Sequence, residues 1–270
     1  MNKQLQLIQP FIYADFSQFL TGDKEISRPY HLYFYELAPQ QPQNLIFNFI
    51  ASPYTEWIIG YDDISFFNGN ACFWGIGASS KSFQVEIPAF QHYFCIRFDD
   101  DLTFINKNAP ALLPADLFET VQAYKPTGNT YEYRLIEEFQ SADSFAKKVR
   151  LFLTYLKASK KQPVVPQSAG LIQNALKESK PDITIAEVAK DYDYTPRHVG
   201  RIFKENYGYT PKDYLRFLRV QYVLSAMLKN PDGTNRSFSQ DLGYNDAAHF
   251  QREFKEFLGI TPREYLQKIR

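Results

Sequence analysis

The chain of 270 residues has only 2 cysteines, 2 methionines and 2 tryptophans, and no excess of either charge, since 30 Lys and Arg residues meet 30 Asp and Glu residues. Each shortage excludes something. Cys72 and Cys95 stand apart with no CxxC pair, so neither a disulfide framework nor a structural zinc site is expected, and both read as small buried residues in a reducing cytoplasm. No run reaches the about 18 apolar residues of a membrane span, and the opening MNKQLQLIQPFIYADF lacks a basic segment followed by an apolar one. Neither secretion nor a membrane partner is expected. HExxH, GxSxG and a phosphate-cradling glycine loop are missing too, so no catalytic set is identified and no cofactor is implied. His31 and His92 have no HxH or spaced glutamate beside them, which speaks against a metal site, and Asp62–Asp63 and Asp99 to Asp101 read as solvated strand ends.

What is present is unevenly spread. At about 150 residues per domain the length suits two domains. Residues 1–160 carry 13 positive and 17 negative charges, and residues 161–270 carry 17 and 13, so the halves stand at −4 and +4. Of 45 Phe, Tyr and Trp residues, 31 precede residue 161. From Tyr30 onward, strand-length segments (HLYFYEL, LIFNFI, EWIIGY, ISFF, ACFWGIG, FQVEI, HYFCIRF) alternate with turn material, which predicts an antiparallel β sandwich or barrel of cupin-like kind. PADLFETVQAY, YRLIEEF and SFAKKVRLFLTYLKA have helical spacing and are expected to flank that sheet. The stripe Phe145, Val149, Phe152, Leu153 and Leu156 would be buried either within one chain or in a homodimer. Trp57, Phe73, Trp74 and Tyr93 either fill the β core or line a pocket for an apolar or sugar-like effector.

The segment SKKQPVVPQS has two prolines and no periodic face, and marks a boundary. The expected organisation is α+β in two domains: a β-rich regulatory domain over residues 1–160, a linker over 161–167 and an all-α domain over 168–270. Such a linker would tether the two at short range and leave them free to reorient.

The helical part contains one unit twice. FKENYGYTPKDYLRFLR (residues 203–219) and FKEFLGITPREYLQKIR (residues 254–270) are identical at nine of seventeen positions at an offset of 51, and His198 and Arg201 pair with His249 and Arg252 at the same offset. In the first copy Thr184 and Glu187 form a capping box for a short helix. A turn at Asp193 and Tyr194 follows, and Thr195 with Pro196 opens a second helix whose inward residues are Val199, Ile202, Phe203 and Tyr207. Its outer face is Arg197, His198, Gly200, Arg201 and Lys204, and Gly208 ends it. The second copy has Phe238 and Leu242 on the short helix, Gly243 in the turn and Asn245 or Asp246 as cap. Phe250, Phe254 and Phe257 then face inward, and Ala247, Ala248, Gln251, Arg252 and Lys255 outward. Pro211 to Lys229 is long enough for a five-turn spacer helix, about 28 Å at 1.5 Å per residue. Short helix, tight turn and second helix with a cationic face make a helix-turn-helix.

These stretches, RHVGRIFKENYGYTPKDYLRFLR and LGYNDAAHFQREFKEFLGITPREYL, resemble the DNA-binding domain of the AraC/XylS family of bacterial transcription regulators over Ser168 to Arg270. The resemblance implies two helix-turn-helix units joined by a long helix, with two recognition helices entering successive major grooves of double-stranded promoter DNA. By position it places Arg197, Gly200, Arg201, Ala247, Ala248, Gln251 and Arg252 toward bases. Lys204 and Lys255 are suited to phosphates. RNA polymerase is implied as a further partner, and a small-molecule effector or a second copy as the input to the amino domain. Two positions depart from the family pattern: Asp193 stands where a turn glycine is usual and Ser239 where an alanine is usual. The rival reading is a cupin-type enzyme with an appended DNA-binding module.

Overall fold

The computed structural model describes residues 11–12, 19–20, 24–27, 32–39, 44–62, 71–98, 114–126, 130–158, 165–179, 183–233, 237–238, 244 and 246–269. Linker residues 161–164, the segment ISFF, and His31, Asp63, Asp99 to Asp101, Ser239, Leu242, Gly243 and Asn245 lie outside these.

Every strand pairing is antiparallel. A three-stranded sheet has the order β1 (Phe11–Ile12), β5 (Leu45–Phe49), β8 (Phe83–Ile87). A larger sheet runs β10 (Val121–Tyr124), β7 (Ala71–Ile76), β6 (Thr55–Tyr61), β9 (His92–Phe98), β4 (Leu32–Pro39), β2 (Phe19–Leu20), with β3 (Lys24–Ser27) also on β4. Alternation along the strands sends two sets of side chains to opposite faces. Trp57, Ile59, Phe73, Phe94, Ile96 and Phe98 face α2 (Tyr131–Gln140) and α3 (Phe145–Ala158), whereas Ile58, Trp74, Tyr93 and Cys95 face the small sheet with Phe47 and Phe49. Central β6 is covered on both faces, which is why all seven of its residues are buried. The stripe Val149, Phe152 and Leu156, with Phe145 and Leu153 partly covered, packs on the large sheet of its own chain.

A fully buried ion pair lies within this layer. Arg97 Nε donates to Glu56 Oε1 at 2.7 Å and the Tyr35 hydroxyl to Glu56 Oε2 at 3.0 Å, while the guanidinium stands 5.7 Å from the Tyr54 ring centre. Burial pushes the Glu56 carboxyl above its usual range against the pull of Arg97.

Two expectations need correction. PADLFETVQAY is not one helix: α1 (Pro114–Leu117) stops where Glu119 takes a left-handed φ of 55° and the Thr120 hydroxyl donates to the Leu117 carbonyl at 2.8 Å. Val121–Tyr124 then pairs along the open edge of β7, because an unpaired strand edge offers hydrogen bonds that one more helical turn would not use. The short strands before Tyr30 were also not expected; two-residue pairings leave no periodic signal.

The helical part comprises α4 (Gln167–Glu178), α5 (Ile185–Asp191), α6 (Pro196–Tyr207), α7 (Pro211–Lys229), α8 (Ala247–Leu258) and α9 (Pro262–Ile269). Its core of Val199, Phe203, Tyr209, Phe217, Phe250, Phe254 and Phe257 is continuous with Ile50, Ala51 and Ala78 of the β part. Ala51 N–H donates to the Phe257 carbonyl at 2.7 Å and Ser82 N–H to the Glu256 carbonyl at 3.1 Å. Tyr209 donates to the Pro53 carbonyl at 3.4 Å, and Phe118 lies 6.0 Å from the Tyr209 ring. The two parts are therefore docked, where the linker composition had suggested a loose tether. That contact joins residues far apart in sequence, so no local pattern announces it.

Candidate nucleic-acid interface

Caps fix the second helix of each repeated unit. Thr184 and Glu187 form the capping box that opens α5, and Asp193 holds a left-handed φ of 55°, the conformation that the departure from glycine puts under strain. Thr195 accepts from His198 N–H at 3.2 Å with Pro196 at the first turn, which starts α6. In the second copy Asp246 accepts from His249 N–H at 2.6 Å and starts α8. Gly208 and Gly259, at φ 80° and 76°, end the two helices in the left-handed conformation that glycine adopts without strain. Thr210 with Asp213 opens α7, and its nineteen residues link the units.

Packing decides which face is left outward. Val199, Phe203 and Tyr207 on α6, and Phe250, Phe254 and Phe257 on α8, are buried. Arg197, Arg201 and Lys204 of α6 and Ala247, Ala248, Gln251, Arg252 and Lys255 of α8 are exposed, with Gly200 half-exposed between them. A Cβ built on Gly200 would meet nothing within 4 Å. The named outward set is small and cationic on α6 and small, amide and cationic on α8, and Arg, Lys and Gln are donors of the kind that read base edges and neutralise phosphates.

The cations are not equivalent. Arg201 Nη1 lies 3.3 Å from both carboxylate oxygens of Glu205, and its Nη2 lies 3.1 Å from His198 Nδ1. Lys204 donates to the Gly208 carbonyl at 2.6 Å and stands 5.5 Å over the Phe118 ring, which ties it to the cap of α6 and to the β part. In the second unit α7 reaches across: Arg216 contacts Glu253 at 3.3 Å and Glu256 at 3.0 Å, and Arg219 lies 3.9 Å from Glu253. Glu253 is buried, 3.6 Å from His249 Nε2 and 3.5 Å from the Tyr244 hydroxyl. Burial beside that carboxylate holds the Tyr244 phenol far above its usual range. Periodicity did not single out this Arg–Glu cluster; its signal is a charged residue on an inward stretch, where Glu253 sits between Arg252 and Phe254.

The four aromatics proposed to line an effector pocket do not converge. Trp57 and Phe73 lie on the helix-covered face, ring centres 6.0 Å apart, and Trp74 and Tyr93 on the opposite face, each packed on Phe90. One sheet separates the pairs, since odd and even positions of a strand point to opposite sides. Among the described residues there is no group of three His, Cys, Asp or Glu side chains that could hold a metal, and no helix is long and apolar enough to cross a membrane.

Comparison with known proteins bears on the same region. Residues 174–268 match the model of a family described as a helix-turn-helix domain. The carboxyl region is thus a helix-turn-helix domain. Over 83 residues it is 34% identical to the lactose operon transcription activator of Staphylococcus xylosus, covering 31% of this chain and 29% of the activator. Over 143 residues, more than the carboxyl region alone, the chain is 28% identical to the uncharacterized HTH-type transcriptional regulator YobQ of Bacillus subtilis, covering 53% of this chain and 56% of that protein. The matches thus span less than two thirds of either relative. Apo ToxT of Vibrio cholerae, a solved structure, is 12% identical with a TM-score of 0.49 over 91% of this chain and 100% of its own.

Proposed function

We propose that this protein is a sequence-specific DNA-binding transcription regulator whose two recognition helices, α6 and α8, read successive major grooves of promoter DNA. The observation that carries this reading is the duplication of one capped unit, with each copy burying its aromatic face and leaving a cationic face outward, the two joined by helix α7. An unselected surface helix has no reason to repeat an arginine and a lysine at one offset on corresponding faces; a pair of groove-reading helices does. Arg197, Gly200, Arg201, Ala247, Ala248, Gln251 and Arg252 form the base-facing set. Lys255 serves a phosphate; Lys204 joins it once released from Gly208 and Phe118.

Residues 168–270 are the DNA-binding part, 161–167 the linker and 1–160 the regulatory part. An effector, a partner or a second copy acts through the latter by favouring one arrangement of the docked parts. The protein works in the cytoplasm beside RNA polymerase, and catalysis plays no part, in keeping with relatives named as regulators.

The test is selection of bound sequences by the full chain from random duplex DNA, followed by affinity measurements across salt. Enrichment of a two-part site with parts about one helical turn, or 34 Å, apart and affinity falling steeply with salt is the expected result. No enriched sequence would end the reading.

A further inference from the structure

The two copies of the unit share an arginine, a histidine and an acid at the same places, His198, Arg201 and Glu205 in one and His249, Arg252 and Glu256 in the other, yet connect them differently. In the first copy acid and histidine both hold Arg201. In the second, Arg216 of α7 draws Glu256 away and Glu253 engages His249. Arg252 makes no hydrogen bond or ion pair among the described residues, and it is exposed.

Helix stability does not account for Glu205. It lies in the last turn of α6, where the helix dipole disfavours an anion, and it follows its arginine by four residues, the weaker order for such a pair. Glu256 occupies the same unfavourable place but bonds to a neighbouring helix. Glu205 has only Arg201 as an ion-pair partner among the described residues, on the face turned outward.

We propose that Glu205 is a specificity-determining residue: by holding Arg201 it keeps the first recognition helix from gaining affinity on unrelated DNA, while the exposed Arg252 lets the second contribute to any duplex. This rests on the DNA-binding reading above. An exposed Arg–Glu pair of this spacing shifts an equilibrium by a factor of only about two. Trading that carboxylate for a single phosphate exchanges like for like and gains almost nothing. A bidentate contact with guanine O6 and N7 distinguishes bases by a factor of about 5–150 and overrides the pair. Arg201 is thus withheld from phosphates and released to the right base.

The experiment compares the full-length chain with Glu205→Gln and Glu256→Gln on its selected duplex and on an unrelated duplex of equal length, across salt. Glu205→Gln is expected to tighten the unrelated duplex about twofold, the worth of the pair it removes, to steepen its log–log salt slope by up to about 0.9, the share of one phosphate contact, and to tighten the selected duplex less. Glu256→Gln should leave the ratio of the two affinities unchanged, because its carboxylate serves Arg216. In an Arg201→Ala background Glu205→Gln should have no effect. The proposal falls if Glu205→Gln leaves the ratio unchanged, if Glu256→Gln lowers it equally, or if the effect persists without Arg201. A wild-type chain that selects no DNA removes the functional reading as well, whereas one that selects a site but ignores Glu205 removes only this inference.

Discussion

Ala51 and Phe257 are joined by a 2.7 Å hydrogen bond from the N–H of a β-part loop to a carbonyl in the last turn of α8. The last carbonyls of a helix have no partner inside it, so the β part completes α8 in place of water. Ala51→Pro removes that donor. We expect it to raise amide exchange near Gly259 and to change DNA affinity while the selected sequence stays the same, because every residue proposed to face bases lies on α6 and α8. A changed sequence preference would show that the β part takes part in readout.

The Glu56–Arg97 pair yields a stability prediction. Glu56→Gln leaves a buried guanidinium without its counter-charge, which costs about 3–5 kcal/mol. Urea unfolding of the β part should shift accordingly. Replacing both residues by methionine should recover most of the loss, since the desolvation of two charges disappears with them; a double variant as unstable as the single one would assign the loss to packing.

Base preference should divide between the arginines. Arg201→Ala and Arg252→Ala are each expected to relax selection at a different base pair, at about 1–3 kcal/mol per lost bidentate contact. Lys255→Ala should weaken all sequences alike. Position-by-position selection profiles of the variants check this, and uniform weakening by the arginine variants would mean that other side chains face the bases.

Gly200 separates stability from binding. Its Cβ position is open, so Gly200→Ala should stabilise α6 by about 0.5–1 kcal/mol, seen as a higher midpoint of thermal unfolding. The same methyl would stand on the outward face and is expected to weaken DNA binding. Improved stability with unchanged affinity would place DNA farther from this turn than proposed.

Much of this was legible in the sequence where the signal is local. Thr184, Thr195 and Gly208 marked helix ends that the structure reproduces, since caps act within one turn. The strands from Leu32 to Phe98 were legible by their aromatic and β-branched runs. What was not legible depends on contacts between distant residues. The turn of the chain at Glu119 follows from an edge of β7 some forty residues earlier, and the separation of Trp57 and Phe73 from Trp74 and Tyr93 from strand register. Docking at Ala51 and Ser82 could not be read at all, because small residues in a loop carry no pattern.

Helix α7 has a consequence for the genome as well as for the protein. Its nineteen residues link the proposed reading heads α6 and α8, the second held through Arg216 and Arg219, so it works as a gauge whose setting is an angle as much as a length. One inserted residue would swing the second head by about 100° and carry it off the face of the duplex, whereas seven would nearly restore its direction and move it about 10 Å along. If α6 and α8 read DNA as proposed, the sites they select hold their two parts in one fixed helical phase, and a base pair gained or lost between them should silence a site whose every contacted base is intact.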